Sequence, residues 1–258
     1  VTLPPRVLID EKKEYMVYLY RDNYKTIEQL SEKELRLAGL RINPKKNIGS
    51  RISYYNNLKI SLISDEDSNI INVKGLPKNP QISNIKWSPD QNMIAMTNTT
   101  KEGVELWVLD VKKAKIKKIV GPRLNANLGS VISWYKDSRS LLVKFGPSDI
   151  EGIKLSEDLV PTGPRISTND GAKAQNRTYQ DLLKSKNDED NFEILSMSEL
   201  YKVSIKGSKR RWKKKDMYRN ISFSPNGEFI LVSTIKRPFS YLVPYYRFPS
   251  KHTVFSLN

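Results

Sequence analysis

The sequence predicts an all-β fold, a partial β-propeller of about four blades. Two observations predict it. A hairpin motif returns four times along the chain, and an alternating strand follows each copy. Propeller blades read as repeated groups of three or four short strands.

The hairpin is clearest at residues 85–96 (IKWSPDQNMIAM). An alternating strand leads into Ser88-Pro89-Asp90, where Pro presets φ and Asp bonds nearby backbone, and a second apolar strand follows. Ile85, Trp87, Ile94 and Met96 are the expected buried set. The shape returns at residues 221–232 (ISFSPNGEFILV), with a worn turn at 132–143 (ISWYKDSRSLLV), and faintly at 8–18 (LIDEKKEYMVY). Ile9, Trp87, Trp134 and Phe223 are the aligned anchors.

A third strand follows each hairpin. Residues 104–111 (VELWVLDV) alternate as a strand with one buried face should. The expected counterparts are residues 34–42, 199–205 and 252–257. Fourth, short strands are expected at 115–120 and 70–73. This places blades at about 1–80, 81–124, 125–217 and 218–258, all within one incomplete propeller domain.

From Trp87 to Trp134 is 47 residues, which suits one blade of roughly 40–50. Ile9 to Trp87 spans 78 and Trp134 to Phe223 spans 89, too long for plain blades. Each gap shows one copy of the hairpin, so two insertions are expected. The first holds residues 24–33 and 43–57. The second runs from about 147 to 197, with an extended entry at Val160-Pro161-Thr162-Gly163-Pro164. It carries a short helix over residues 175–184, with Tyr179, Leu182 and Leu183 on one side, ended by residues 187–190. Long excursions from a rigid scaffold serve binding or cover an edge.

The chemistry-bearing residues are few. There is one histidine, His252, and no cysteine, so thiolate or paired-His metal sites and disulfides are excluded. No Gly-x-Ser-x-Gly elbow is present, nothing places a Ser in a strained turn beside His252, and His252 reads as an ordinary strand residue. The acidic runs at 65–67 and 188–190 lack calcium-loop spacing and read as solvated loop charges. Asn98, Asn176 and Asn220 stand in Asn-x-Ser/Thr triplets, which are common by chance. No catalytic, metal or cofactor-binding residue is assigned and no cofactor is implied.

The net charge of +16 raises a nucleic-acid reading. Lys112, Lys113, Lys115, Lys117 and Lys118 form one basic run; Lys209, Arg210, Arg211, Lys213, Lys214 and Lys215, with Trp212 among them, form another. Basic and aromatic residues together can hold a single strand. Both runs follow a third strand, where a blade's outer edge lies, and Lys there discourages edge-to-edge pairing. That structural role is preferred over nucleic-acid or acidic-partner binding.

No apolar run approaches the roughly 18 residues needed to span a membrane, and no signal peptide is visible. The opening Val1-Thr2-Leu3-Pro4-Pro5 lacks Met, so a trimmed start is expected, and export to the periplasm or beyond stays open. The strand-like end at 253–258 suggests a fragment.

Several stretches are more particular than the repeat. Residues 33–55 (KELRLAGLRINPKKNIGSRISYY), 125–129 (NANLG), 161–164 (PTGP), 175–184 (QNRTYQDLLK) and 238–249 (PFSYLVPYYRFP) together resemble the N-terminal region of glutamyl endopeptidase-like members of the prolyl oligopeptidase family of serine peptidases. The resemblance covers nearly the whole chain in the same order. It implies a propeller that caps a missing C-terminal α/β-hydrolase domain holding Ser, Asp and His, and that filters peptide substrates by size. It implies further blades after Asn258. No catalytic residue carries over. A preference for Glu would need a cationic pocket, for which Arg177 and Arg247 are candidates. The alternative is a stand-alone binding propeller for a protein or acidic polymer.

Overall fold

The computed structural model describes residues 3–64, 69–146 and 179–257. The described chain is built of antiparallel strands that meander in four successive units. In the first unit β1 (Arg6–Ile9) and β2 (Tyr15–Tyr20) form the faint hairpin. The chain then leaves on an excursion holding α1 (Ile27–Leu30), β3 (Leu35–Leu37), β4 (Leu40–Asn43) and β5 (Ile48–Gly49). It returns as β6 (Asn57–Leu62) and β7 (Ile71–Asn72), giving the sheet order β1-β2-β6-β7.

The second unit is an unbroken meander of β8 (Ile82–Trp87), β9 (Met93–Thr99), β10 (Val104–Asp110) and β11 (Lys115–Leu124). The third has β12 (Ile132–Trp134), β13 (Ser140–Phe145), then an excursion with α2 (Lys186–Ser196), then β14 (Ser198–Ser204) and β15 (Lys209–Asp216). The fourth is three strands, β16 (Tyr218–Phe223), β17 (Phe229–Ile235) and β18 (Ser250–Ser256). The four hairpins all form as the repeat predicts. In the turn at 88–93, Ser88 Oγ bonds Asp90 Oδ1 at 2.6 Å and accepts from Met93 N at 2.9 Å.

Units pack face to face. Val17, Leu19, Leu58 and Ile60 of unit 1 share a core with Ile94, Met96 and Leu109 of unit 2. Ala95, Leu106 and Val108 of unit 2 share another with Trp134, Leu141 and Val143 of unit 3. Leu142 and Leu200 of unit 3 meet Ile230 and Val232 of unit 4. The strands between units therefore bury both faces, as β10 does. This face-to-face stacking of twisted sheets is the propeller plan, and the chain is a partial propeller of about four blades with two insertions.

Two expectations need correcting. Residues 34–42 are not the third strand of unit 1; that place belongs to β6. They form a tight hairpin, β3–β4, because Ala38 and Gly39 take φ of 51° and 85°. Two residues of positive φ make a type I′ turn, and Ala in the first position concealed it. The insertion is thus one excursion over residues 21–56.

The helix of the second excursion also lies later than expected. Of residues 175–184, those from 179 onward are described and are not helical; the rest, with 160–164, fall outside the described residues. Ser185 caps α2 by accepting from Asp188 N at 3.2 Å, and Asp188 and Glu189 occupy the first turn. Acidic residues there complement the helix dipole. The run 187–190 therefore starts the helix that it was expected to end.

Candidate functional site

Every unit has the same strand order, so the links between units and the turns from second to third strand fall at one end of the sheets. All the long excursions sit at that end. They are residues 21–56 of unit 1, the described residues 179–197 of unit 3 and 236–249 of unit 4. They do not stand apart. Leu37, Ala38 and Ile42 from the first, Leu183, Phe192 and Leu195 from the second, and Phe239 and Phe248 from the third pool into one core. Phe192 meets Phe239 and Phe248 edge-on, with centroids 5.2 and 5.6 Å apart, the geometry that ring quadrupoles favour.

The first excursion is a strap. It leaves unit 1 and pairs Tyr55 with Ile82 of unit 2, then Ile48 with Ala126 in the link between units 2 and 3. Its β3–β4 tip reaches both other excursions. Gly39 N donates to Asp181 O at 2.8 Å, Tyr245 N donates to Ala38 O at 2.8 Å, and Arg41 Nε donates to Asp181 Oδ2 at 2.5 Å. A Cβ on Gly39 would stand 2.7 Å from Pro244 Cβ, so the contact requires glycine on steric as well as conformational grounds. One segment of unit 1 thus crosses the connecting end as far as unit 4.

The link 125–131 is the hub beneath the strap. Asn125 Nδ2 donates to Leu195 O and Met197 O at 2.9 and 2.8 Å, and Asn127 Nδ2 to Leu195 O at 2.9 Å. These amides cap the carbonyls at the α2 C-terminus, which have no intrahelical partner. Lys144, 2% exposed, donates from Nζ to Leu128 O and to Tyr218 O, tying the two links that flank unit 3. Burial, with Lys86 nearby as a lesser cause, pushes its ammonium down to about 7.

The residues singled out from the sequence are scattered. His252 is exposed on β18, between Ser233 Oγ at 2.8 Å from Nδ1 and Ser250 Oγ at 3.1 Å from Nε2. Both serines lie on regular strands. Arg247 is exposed, with its guanidinium 5.6 Å from the Tyr179 ring centroid. Arg177, Asn176 and the acidic run 65–67 lie outside the described residues. Glu189 and Asp190 pair with Lys186 at 3.4 and 3.1 Å, and Arg237 bridges Glu189 and Glu193. No group of acidic or His side chains that could hold a metal ion is found among the described residues. Asn98 is buried and donates to Glu105.

The first basic run spans the turn at Lys112 and Lys113 and the start of β11, the fourth strand of unit 2; the second lies on β15, the fourth strand of unit 3. Trp212 is not free to stack on a base. It packs edge-on against Phe255, centroids 5.5 Å apart, under the Lys213 ammonium. Lys209, Arg210 and Lys214 face solvent. No helix among the described residues is long and apolar enough to cross a membrane.

What the geometry defines is a set of propeller blades whose excursions form a braced layer at one end. No protein-family model matches the chain. It is 29% identical over 98% of its length to a probable chloroplastic glutamyl endopeptidase of Oryza sativa subsp. japonica, and 30% identical over 98% to that of Arabidopsis thaliana. The chain spans 28% and 27% of those relatives. Among solved structures, the tricorn protease superposes over 99% of this chain and 18% of its own, with a TM-score of 0.50 and 9% identity, a likeness of fold alone. The resemblance to glutamyl endopeptidase-like peptidases of the prolyl oligopeptidase family, read from residues 33–55 through 238–249, is borne out.

Sequence reasoning missed the layer itself. It found the pieces (33–55, 125–129, 175–184, 238–249) as particular stretches. The signal was present in their buried apolar residues, which no strand periodicity explained.

Proposed function

We propose that the chain is a non-catalytic, substrate-gating part of a longer serine peptidase. The observation that carries this reading is the strap. A propeller surrounds a channel that opens at its two ends. A layer pinned by a shared core over the connecting end narrows that opening and limits the size of what passes. The sequence likeness to glutamyl endopeptidases supplies the peptidase, and their greater length leaves room for a catalytic domain and further blades. Such blades would also cover the outer faces of unit 1, where Val7 and Ile9 are 41% and 55% exposed, and of unit 4, where Val254 is 62% exposed.

The test compares three proteins: this chain, the longer parent, and the parent with residues 35–43 replaced by a short Gly-Ser link. The chain alone hydrolyses no peptide. The parent cleaves short peptides after Glu and spares folded proteins. The strap-deleted parent accepts longer substrates. An unchanged size limit after strap removal, in a parent that still folds and cleaves, rejects gating.

A second reading, binding of an acidic polymer by the solvent-facing Lys209, Arg210 and Lys214, is favoured only by that row of cations. It requires binding that neutralising the three abolishes.

A further inference from the structure

Units 1 and 2 part at their first strands, and the space between them is a cleft of about 320 Å³, at the lower end of the ~300–1,000 Å³ usual for small-ligand sites. Both walls belong to described units, so nothing stacked beyond unit 1 or unit 4 would fill it. Register builds the first wall. Arg6 and Leu8 of β1 stand opposite Leu19 and Val17 of β2, and cross-strand partners share a face. Leu19 and Val17 face unit 2, so Arg6 and Leu8 do too, while Val7 and Ile9 take the outer face. A bulge builds the second wall. Asn84 and Ile85 of β8 together oppose Met96 alone of β9, and Asn84 sits at φ 50°. Asn tolerates that region, and such a bulge re-aims side chains. The returning leg of the strap closes a third side with Ile52, Ser53 and Tyr55. Two backbone hydrogen bonds of 2.9 Å to Ile82 hold Tyr55 there.

The lining has three kinds of group. Leu8, Leu19, Ile52 and Ile85 are apolar. Arg6 makes no ion pair among the described residues, and its one hydrogen bond is long, Nη1 donating to the Tyr55 hydroxyl at 3.4 Å. Because the Tyr55 oxygen accepts there, its own proton is free to donate elsewhere. A guanidinium beside a phenol hydroxyl is a donor set for a carboxylate. Asn84 supplies the opposite. Its Nδ2 donates to Thr97 Oγ1 at 2.9 Å and to Ser83 Oγ at 3.4 Å. That turns the amide nitrogen toward the sheet and leaves Oδ1 without a partner among the described residues, an acceptor for an N–H. No carboxylate lines the cleft. A ligand that meets all three groups carries a carboxylate, an N–H and an apolar branch close together. The last residue of a peptide chain has this set; a fatty acid lacks the N–H.

We infer that this cleft binds the C-terminal residue of a peptide that ends in an apolar side chain. Arg6 and Tyr55 take the α-carboxylate, Asn84 Oδ1 takes the terminal peptide N–H, and the apolar wall takes the side chain. This chemistry does not rest on the peptidase reading.

The probes are N-acetyl-Ala-Leu with a free carboxylate, its C-terminal amide, N-acetyl-Ala-Glu-amide and octanoate. Each is titrated into the 258-residue chain and followed by the backbone amide signals of its NMR spectrum. N-acetyl-Ala-Leu should move the signals of Tyr55, Asn84 and Ile85 saturably. Its amide should need at least tenfold higher concentration. Arg6 is exposed, so Arg6→Gln should leave the melting temperature unchanged while weakening N-acetyl-Ala-Leu at least tenfold, and Arg6→Lys should restore part of the loss. Asn84→Gly keeps the positive φ and removes the side chain, and should weaken binding at least threefold. Equal response to the acid and the amide, tighter binding of N-acetyl-Ala-Glu-amide or octanoate, no effect of Arg6→Gln, or signals that move only elsewhere would each overturn the inference. Replacing residues 35–43 in the parent leaves both walls in place, so the two readings fail separately. Binding that persists beside an unchanged size limit rejects gating alone. A size limit that relaxes in a parent whose cleft binds nothing rejects the cleft alone.

Discussion

Units 2 and 4 are built from the same hairpin yet differ in their surroundings. Unit 2 has a neighbour on each face. In β10, Val104, Glu105, Leu106, Val108 and Leu109 are all buried, on both sides of the strand. Among the described residues unit 4 has a neighbour on one face only. Ile230 and Val232 are buried against unit 3, while Phe229 and Val254 are 45% and 62% exposed on the other side. The same local pattern therefore yields a two-sided core strand or a one-sided strand according to what is stacked beside it.

The largest expected effect lies at the seam that gives unit 4 its covered face. Lys144 is buried there with its ammonium pushed down to about 7, from about 10.5 in the unfolded chain. Between those values the unfolded state binds more protons than the folded one, so stability rises as pH increases from about 7 toward 10. The tyrosines at the same seam act in the opposite sense only at higher pH. Burial raises Tyr135 to about 12 and raises Tyr218 as well, so stability falls again once unfolded tyrosine ionises. A pH series of urea melts should show a gain on the order of 3–5 kcal/mol across the lower window, since one pKa unit is about 1.4 kcal/mol. Lys144→Met should flatten it. A slope that survives Lys144→Met would mean that another group supplies it, and a chain that shows no slope with Lys144 in place would mean that the seam is not sealed by unit 4.

Next in size is the contrast between the two strands themselves. Leu106 is fully buried between units 2 and 3. Leu106→Ala should cost about 2–5 kcal/mol, the transfer loss plus a cavity. Val254→Ala, on the open face of unit 4, should change stability by less than about 0.5 kcal/mol. Chemical denaturation of both variants checks this. Equal losses would show that the outer face of unit 4 is covered in solution, for example by self-association.

The smallest effect concerns the outer edge of unit 3. Neutralising Lys209, Arg210 and Lys214 together should shift the unfolding midpoint by little, because these side chains face solvent. The same triple variant should also bind a single-stranded oligonucleotide no differently from the parent chain, with Trp212 held against Phe255. Salt-dependent binding that disappears in the variant would revive the acidic-polymer reading.

The blades were legible because their code is local. Ser88-Pro89-Asp90 and Ser224-Pro225-Asn226 make turns from their own side chains, and period-two alternation marks the strands around them. The strap was half legible. Its residues stood out as unlike a blade, but Ala38 at positive φ is no turn signal, so a hairpin passed for a strand. The helix at Lys186–Ser196 was misplaced because its cap is a single serine, Ser185, beside an acidic run that reads equally well as a loop.

By itself the sequence determined the repeat, the all-β class and the lack of an elbow or a thiol, since these depend on residues near one another in the chain. Only the tertiary structure decided that three excursions share one core, that Gly39 must be glycine to pass Pro244, and that Lys144 is sealed between units 3 and 4. Those facts depend on residues as far apart as Gly39 and Pro244, and pairings of that range leave no period in the chain that makes them.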